Sequence, residues 1–205
     1  MTTERSAHWD QAYRDGDTSR SWYQQHAETS MALITESAIR RTDSIIDIGG
    51  GASTLADDLL AEGFTDITVL DVSRTGIDTA RTRLGKKAEG VRWIIDDLLA
   101  WHPQRAYDLW HDRAVLHFLV DPIEQQRYRA ALLAATRPGS TVIVGVFGLD
   151  GPTSCSGLPV QRFDRATLAE TLGDELAIER IQTAEHQTPT GAVQQFFWAV
   201  AARRR

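Results

Sequence analysis

The sequence predicts an α/β protein whose doubly wound, Rossmann-like sheet has seven strands, an antiparallel terminal strand and helices on both faces. Three patterns indicate this fold. Apolar residues lead into a glycine-rich turn at 45–54, which is typical of a buried strand that opens a helix. Strand and helix patterns then alternate five times, as in a parallel sheet. The last two strands flank a short turn with Pro189 and Gly191, so they form an antiparallel pair.

Each element follows from its own pattern. The helices have apolar residues at helical spacing, the strands are short apolar runs, and Pro122 after Asp121 marks a capped helix start. Residues 148–163 form a connection long enough to be functional. The predicted strands are 44–48, 66–73, 91–95, 107–110, 140–147, 176–183 and 193–201, and the predicted helices are 28–41, 53–63, 74–84, 165–172 and one from 122 to a break at 137–139.

The composition indicates one globular domain and argues against several functional classes. A chain of 205 residues with 42% hydrophobic and 24% charged residues suffices for a single core. The net charge of −6 argues against a nucleic-acid partner, because a phosphate backbone requires a basic surface. The single cysteine, Cys155, excludes an internal disulfide and a multi-cysteine metal site, and we predict no metal. No signal peptide or apolar run of membrane length is present, so we expect a cytoplasmic protein with no membrane partner.

The glycine-rich turn has the features of a ligand cradle. Gly49 and Gly51 fit the first two positions of the dinucleotide fingerprint G-x-G-x-x-G, but Thr54 stands at the third. Asp47 precedes Gly49 by two residues, and its carboxylate would repel a pyrophosphate. The turn therefore favours a ligand without phosphate that carries a positive charge.

The pattern D-x-G-x-G-x-S, formed by Asp47, Gly49, Gly51 and Ser53, resembles motif I of the class I S-adenosylmethionine-dependent methyltransferases. The resemblance covers residues 44–201 and implies the class I methyltransferase fold, with a single cofactor-binding domain over 28–205. It further implies S-adenosyl-L-methionine as the cofactor, S-adenosyl-L-homocysteine as the product, and methyl transfer to a nitrogen, oxygen or sulfur of a small molecule.

The first part of the chain also resembles the elongation-factor lysine methyltransferases of eukaryotes. The shared features are the His-Trp-Asp start at 8–10 and an aromatic pair before the first helix. That family has Asp-Lys-Gly-Thr after its fourth strand, where this chain has Asp-Arg-Ala-Val at 112–115. A protein-lysine acceptor is therefore an alternative. A non-catalytic protein that binds an adenosine ligand and a nicotinamide-dependent oxidoreductase are two further alternatives.

The resemblance assigns cofactor contacts to the ends of the strands. Asp71 ends the second strand, where a carboxylate accepts hydrogen bonds from a ribose diol, although Asp71 could instead cap the next helix. Asp97 follows the third strand and is expected to accept the adenine amino group beside Leu98, with Asp96 as its competitor. The candidate cofactor residues are Asp47, Gly49, Gly50, Gly51, Asp71, Val72, Asp97, Leu98 and Arg113.

The candidate catalytic residues follow the fourth strand. His111, Asp112 and Arg113 are ionisable residues expected at the carboxyl end of this strand, where they would be costly without a partner or a role. A local Asp112–Arg113 ion pair is the alternative. A general base is needed only if the nucleophile arrives protonated, and His111, Asp112 and His117 are the candidates.

Residues 1–27 are expected to form an N-terminal lid segment. Trp9 and Tyr13 share one face of a helix, and Trp22 and Tyr23 form the aromatic pair. Such side chains bury large apolar areas, and the carboxyl edge of the sheet is the surface that gains most from a cover. We expect these four residues to line the acceptor pocket. A segment that only anchors itself to the core is the alternative.

Overall fold

The computed structural model describes residues 2–14 and 20–205, so residues 1 and 15–19 of the predicted lid segment lie outside the described part. The strands are β1 (Ser44–Ile48), β2 (Asp66–Asp71), β3 (Val91–Ile95), β4 (Tyr107–Arg113), β5 (Thr136–Phe147), β6 (Ser154–Cys155), β7 (Leu158–Pro159), β8 (Leu176–Gln187) and β9 (Val193–Arg203). The helices are α1 (Thr2–Arg14), α2 (Glu28–Glu36), α3 (Leu55–Ala61), α4 (Arg74–Leu84), α5 (Pro122–Ala135) and α6 (Arg165–Leu172), with short 3₁₀ turns at Gly85–Gly90 and Leu116–Phe118.

The main sheet has seven strands in the order β3-β2-β1-β4-β5-β9-β8. The first five strands pair in parallel, and β9 is antiparallel to both β5 and β8. The strand order reverses between β1 and β4, which is the place where ligands bind in open α/β sheets. The predicted doubly wound fold with its reversed terminal strand is thus confirmed.

Apolar cores cover both faces of this sheet. On one face α2, α3 and α4 pack through buried side chains such as Leu33, Leu59 and Ile77. On the other face α5 and α6 pack through side chains such as Leu132 and Leu168. The central strand β1 is therefore buried along its whole length. No helix within 2–14 or 20–205 is both long and apolar enough to cross a membrane.

The fourth strand is longer than its sequence pattern indicates. It continues to Arg113 instead of ending at Trp110, and His111 and Asp112 pair with Ile143 and Val144 of β5. These polar residues thus belong to a central strand. Their neighbours in space, described below, satisfy the polar groups of His111 and Asp112.

Other boundaries also differ from the predictions. The helix predicted at 28–41 ends at Glu36, because Ala38 has a positive φ of 55° and Asp43 accepts the Arg40 amide hydrogen in a turn. The helix α5 ends at Ala135 and β5 begins at the next residue, so the predicted break at 137–139 lies inside a strand. The terminal strands β8 and β9 each extend beyond their predicted ends because they pair along their full length.

The helix α1 lies across the carboxyl edge of the sheet. Its Asp10 carboxylate accepts hydrogen bonds from the Ser73 hydroxyl at 2.6 Å and from the Thr75 amide at 3.0 Å, where α4 begins. Its Arg5 donates to Asp97 at 3.3 Å and to Glu124 at 2.6 Å. Polar contacts with three separate parts of the chain therefore hold this helix over the strand ends.

Candidate functional site

A cavity of about 460 Å³ lies between α1 and the carboxyl ends of β1 to β4. Its lining combines the glycine turn, the residues that follow β2 and β3, the end of β4, the N-terminal aromatic residues and part of the β6–β7 ribbon. Of the predicted site residues it includes Trp9, Tyr13, Trp22, Tyr23, Asp47, Gly49, Gly50, Asp71, Val72, Asp97, Leu98, His111 and Arg113.

The glycine turn leaves no room for side chains. Gly49 has a φ of 66°, and a Cβ atom there would collide with Val115. A Cβ atom on Gly50 would lie 2.5 Å from Asp47 Oδ2. Gly51 is covered by the phenol of Tyr13, so it is set back from the cavity wall that Gly49 and Gly50 form. The turn therefore presents bare backbone to the cavity, as close approach of a ligand requires.

Asp47, His111 and Ser30 form a buried hydrogen-bonded chain. His111 Nδ1 lies 2.7 Å from Asp47 Oδ1, and His111 Nε2 lies 2.9 Å from Ser30 Oγ. When Nδ1 donates to the carboxylate, Nε2 accepts from the Ser30 hydroxyl. Both ring nitrogens of His111 are therefore hydrogen-bonded. The residue positions Asp47 and α2 and is not free to act as a base.

Asp71 faces the cavity from the end of β2. Its Oδ1 accepts the Ser73 amide hydrogen at 2.7 Å. Burial raises the pKa of the Asp71 carboxyl to about 7, and the nearby charges of Asp47 and Asp10 add to the increase. The N-cap of α4 is Ser73, whose hydroxyl accepts from the Gly76 amide at 3.0 Å. The carboxylate of Asp71 is thus not needed as the helix cap.

Asp97 and Asp96 both line the cavity after β3, but their environments differ. Asp97 is buried, and its Oδ1 accepts the Leu99 amide hydrogen at 3.0 Å as well as Arg5. Asp96 is exposed, and its Oδ1 accepts the Asp97 amide hydrogen at 2.8 Å. The carboxylate that the structure fixes in place is therefore that of Asp97, beside the buried side chain of Leu98.

Asp112 lies on the opposite face of β4 from His111 and Arg113, away from the cavity lining. It accepts hydrogen bonds from the amides of Val115 at 2.8 Å and Leu116 at 3.1 Å and from the Tyr128 hydroxyl at 2.8 Å. Burial raises its pKa to about 6. These contacts fix the turn after β4, so we remove Asp112 from the candidate catalytic residues. Because its carboxylate makes these contacts, Asp112 does not form the ion pair with Arg113 that the sequence suggests as an alternative.

His117 is likewise set apart from the cavity. Its ring is fully buried and lies 4.4 Å from the ring centroid of Phe147 and 4.5 Å from that of Phe118. Burial and then the charge of Arg113 lower its pKa to about 3, so the ring is neutral at physiological pH. We therefore also remove His117 from the candidate catalytic residues.

Arg113 reaches the cavity from the end of β4. Its Nη1 donates to the Trp22 carbonyl at 3.0 Å, and its guanidinium carbon lies 4.8 Å from the ring centroid of Phe196. Its Nη2 is buried and has no hydrogen-bond partner among the described residues. Burial lowers the pKa of this guanidinium to about 10, which leaves it charged at neutral pH.

The four predicted aromatic residues all line the cavity, in two arrangements. Trp9 lies edge-on to Trp22, with ring centroids 5.9 Å apart, and edge-on to Phe118 at 5.0 Å. Tyr13 reaches further and places its phenol against Gly51 on the glycine turn. Trp9 and Trp22 therefore belong to an aromatic wall, and Tyr13, whose ring centroid lies 6.0 Å from that of Trp22, connects this wall to the glycine turn.

Three further residues of α1 line the cavity and were not predicted from the sequence: Glu4, Arg5 and His8. His8 lies edge-on to Trp9, with ring centroids 5.3 Å apart, and its buried Nε2 has no partner among the described residues. A signal was present, because Arg5, His8, Trp9 and Tyr13 follow one another at a helical spacing that places them on one face. Ser30 was also missed, since a single serine in an amphipathic helix carries no such signal.

Comparison with known proteins agrees with this geometry. Residues 45–139 match a family model described as a methyltransferase domain. Nodulation protein S of Rhizobium tropici is 27% identical over 147 residues, which cover 72% of this chain and 56% of that protein. The chain thus spans about half the length of this curated relative.

Solved structures share the fold at low sequence identity. The 1,6-didemethyltoxoflavin-N1-methyltransferase of Burkholderia thailandensis matches with a TM-score of 0.74 and 18% identity, covering 100% of this chain and 91% of that one. A protein from a study of the conversion of a disulfide bond into a thioacetal group in echinomycin biosynthesis matches with a TM-score of 0.79 and 18% identity, covering 98% and 92%. The chain therefore has the fold of the class I S-adenosylmethionine-dependent methyltransferases, and its residues 45–139 match a methyltransferase domain.

Proposed function

We propose that this protein transfers a methyl group from S-adenosyl-L-methionine to a nitrogen, oxygen or sulfur of a small molecule, leaving S-adenosyl-L-homocysteine. One observation carries the proposal. Asp47, Asp71 and Asp97 line a single cavity in the order of β1, β2 and β3, next to a glycine turn without side chains. This order suits a nucleoside whose far end carries an ammonium group.

The residues present fit this cofactor. The Asp71 carboxylate can accept both ribose hydroxyls, Asp97 can accept the adenine amino group, and Asp47 can accept the ammonium group. Asp47 lies against Gly50, where its charge would repel a pyrophosphate, which disfavours a nicotinamide dinucleotide. When bound, the cofactor supplies the electrophilic methyl group. The protein then holds the nucleophile in line and keeps water away.

The acceptor end of the cavity suits a small molecule. Trp9, Trp22 and Phe118 enclose it beneath α1, and the ribbon residues Leu158 and Pro159 complete the wall. The relative from Burkholderia is named for methylation of a small molecule, which supports the same class of acceptor here. The alternative acceptor is a lysine side chain of another protein, and this side chain would have to enter the cavity past α1. The absence of a nucleic-acid partner and a cytoplasmic location remain predictions from the sequence.

A proton acceptor is available on the lid helix. We propose His8 for this role if the nucleophile arrives protonated, because the residue lines the cavity and its buried Nε2 is not engaged by another described group. His111, which lines the same cavity, has both nitrogens in the chain with Asp47 and Ser30. The lid thus contributes a reactive group as well as a cover.

Two measurements test the proposed function. Calorimetric titration with S-adenosyl-L-methionine, S-adenosyl-L-homocysteine and NADH should show binding of the first two and none of the third. Incubation of the protein with methyl-labelled cofactor and separate small-molecule and protein extracts should place the label in the small-molecule fraction. Label in protein would favour the lysine alternative, and cofactor binding without any transfer would favour a non-catalytic binding protein.

A further inference from the structure

Arg113 is a charged group in the cavity without an ionic partner. Among the residues that the structure describes, the arginine and lysine side chains that line the cavity are Arg5 and Arg113. Arg5 pairs with Asp97 and Glu124, whereas Arg113 forms no ion pair with any residue in the described ranges. The Trp22 carbonyl and the Phe196 ring repay only part of the solvation that this guanidinium loses, and a largely desolvated cation without a counter-ion is unusual outside a binding site.

The neighbours of Arg113 leave its charge available. The Trp22 carbonyl occupies Nη1, and the Phe196 ring covers one face of the guanidinium. His117 and His186 lie within electrostatic range, and burial lowers the pKa of each ring, which keeps both neutral. The remaining nearby groups are Cys155 and the Asp47 carboxylate, which already bonds to His111. Among the described residues, therefore, none accepts a hydrogen bond from the buried Nη2, and no carboxylate pairs with the positive charge.

The strand order separates this charge from the acids at the adenosine end. Asp71 ends β2 and Asp97 follows β3, both on one side of β1, whereas Arg113 ends β4 on the other side. Beside Arg113 stand the aromatic wall and the β6–β7 ribbon. The cavity is therefore acidic where the adenosine is proposed to lie and basic where the acceptor is proposed to lie.

We propose that Arg113, which the sequence predicts to contact the cofactor, instead binds a carboxylate of the methyl acceptor, so that this protein methylates an anionic small molecule with an aromatic or other apolar part. The inference rests on the proposed function and adds the substrate class. A guanidinium presents parallel N–H donors that match the two oxygens of a carboxylate. The aromatic wall of Trp9, Trp22 and Phe118 accommodates the apolar part of the same molecule.

Paired acid and amide probes test this specificity. Protein saturated with S-adenosyl-L-homocysteine is titrated with benzoate, phenylacetate and 3-phenylpropionate and with the neutral amide of each acid. The wild-type protein should bind the acid of at least one pair tenfold or more tightly than its amide. Arg113→Gln keeps a donor for the Trp22 carbonyl but loses the charge, so the preference should disappear. Arg113→Lys restores the positive charge and should restore part of the preference for acids.

A matched control separates a local effect from a change in net charge. Arg180 pairs with Glu36 at the surface, far from the cavity lining, and Arg180→Gln should keep the full preference for acids. The affinity of Arg113→Gln for S-adenosyl-L-homocysteine should stay within twofold of the wild type. Circular dichroism and the midpoint of thermal unfolding show whether each variant is folded.

Three results would overturn the inference. They are equal binding of acid and amide in all three pairs, an acid preference that persists in Arg113→Gln, and a tenfold loss of S-adenosyl-L-homocysteine affinity in that variant. The last result would assign the guanidinium to the carboxylate of the cofactor. Failure of the proposed function itself is seen separately, because the wild-type protein would then bind no S-adenosyl-L-homocysteine and this inference would fall with it.

Discussion

Three buried carboxylates differ in what they are free to do. Asp47 bonds to His111, Asp112 accepts from two amides and a hydroxyl, and Asp71 accepts from the Ser73 amide and faces the cavity. A buried carboxylate with unused acceptor capacity is costly in the free protein and becomes favourable when a ligand supplies donors. The same residue type thus serves hydrogen bonding to His111 at Asp47, turn formation outside the cavity at Asp112, and the proposed ligand binding at Asp71.

Cofactor affinity should depend on pH through Asp71. Its pKa of about 7 in the folded protein means that the group is largely protonated below that pH, when it accepts ribose hydroxyls less well. Affinity for S-adenosyl-L-homocysteine should therefore rise as pH increases to about 7 and then level off. Asp71→Asn should flatten this profile and weaken binding about tenfold or more, the value of a charged hydrogen bond. A pH-independent wild-type affinity in calorimetry would contradict the assignment.

The same group affects stability in the opposite direction. A carboxyl whose pKa is raised by folding binds its proton more tightly when folded, so its contribution is fully present below the unfolded pKa of about 4. This contribution is lost as pH rises through about 7. The cofactor-free wild-type protein should thus lose more stability over this range than Asp71→Asn, as urea unfolding at several pH values would show.

Asp112 should matter for stability and not for cofactor binding. Asp112→Ala leaves the Val115 and Leu116 amides and the Tyr128 hydroxyl without their acceptor, which should cost about 3 kcal/mol or more. Asp78→Ala on the exposed side of α4 is the control and should change stability by less than about 0.5 kcal/mol. Urea unfolding measures both. A stable Asp112→Ala protein that no longer binds S-adenosyl-L-homocysteine would return Asp112 to the site.

His8 should affect turnover more than binding. Removal of a general base slows catalysis by about 10²- to 10⁴-fold, so His8→Gln should lower kcat by this order and leave cofactor affinity within twofold. His26→Gln is the control, because His26 is exposed and bonds to Asp58 outside the cavity lining. Initial rates with the acceptor found by label transfer provide the readout. Unchanged turnover in His8→Gln would mean that the nucleophile arrives unprotonated.

Some site residues can be predicted from the sequence and others cannot, for a physical reason. Asp47, Asp71 and Asp97 occur next to glycines or at strand ends, so local pattern and topology place them at one edge. Asp112 and His117 also come at or after the end of a strand. However, Asp112 lies on the face of β4 that points away from the cavity, and His117 lies in the turn after β4, outside the cavity lining. Which face a polar residue occupies depends on where the strand ends, and the sequence pattern ended β4 three residues early.

At the scale of elements, α1 couples the two ends of the cavity. Arg5 reaches Asp97, Asp10 reaches the start of α4, and Tyr13 covers the glycine turn. The sequence predicts a helix with an aromatic face, but it assigns that face to the acceptor pocket only. The polar partners lie more than sixty residues away in sequence, so no local pattern could connect them.

Loosening α1 should speed cofactor release. Arg5→Met removes the ion pairs with Asp97 and Glu124. Because the Arg5 side chain is partly exposed, solvent screens these pairs and the effect should be modest. We expect the dissociation rate of S-adenosyl-L-homocysteine to rise about three- to tenfold in stopped-flow displacement. Arg81→Met, which removes a surface charge paired with Asp78, should leave the rate unchanged. If Arg5→Met also leaves the rate unchanged, α1 does not gate the cofactor site.

At the scale of the whole molecule, the fold is the best-predicted property. Alternating strand and helix patterns allow few topologies, because parallel strands need right-handed crossovers. The short turn between the last two strands predicts that they pair in antiparallel orientation. The sequence does not reveal that β9 inserts between β5 and β8, since this depends on pairing between distant segments.

Cofactor binding should stabilise the entire domain as a unit, because the cavity draws on β1 to β4 and α1 together. At a concentration one hundred times its Kd, S-adenosyl-L-homocysteine should add about 2.7 kcal/mol to the free energy of unfolding. For a domain of this size that corresponds to a rise in Tm of roughly 5–10 °C. Differential scanning calorimetry should show one shifted transition, and two separate transitions would indicate that α1 unfolds independently.

The position of α1 also fixes an order of events during synthesis. The helix precedes the sheet in the chain, but its Arg5 pairs with Glu124, which the ribosome adds 119 residues later. Ser73 and Asp97, its other polar partners, also follow it at long range. The first helix to be made therefore cannot complete its polar contacts until residue 124 has been added. A nascent chain consequently passes through a stage in which β1 to β4 have been synthesised and α1 still lacks its contact with Glu124.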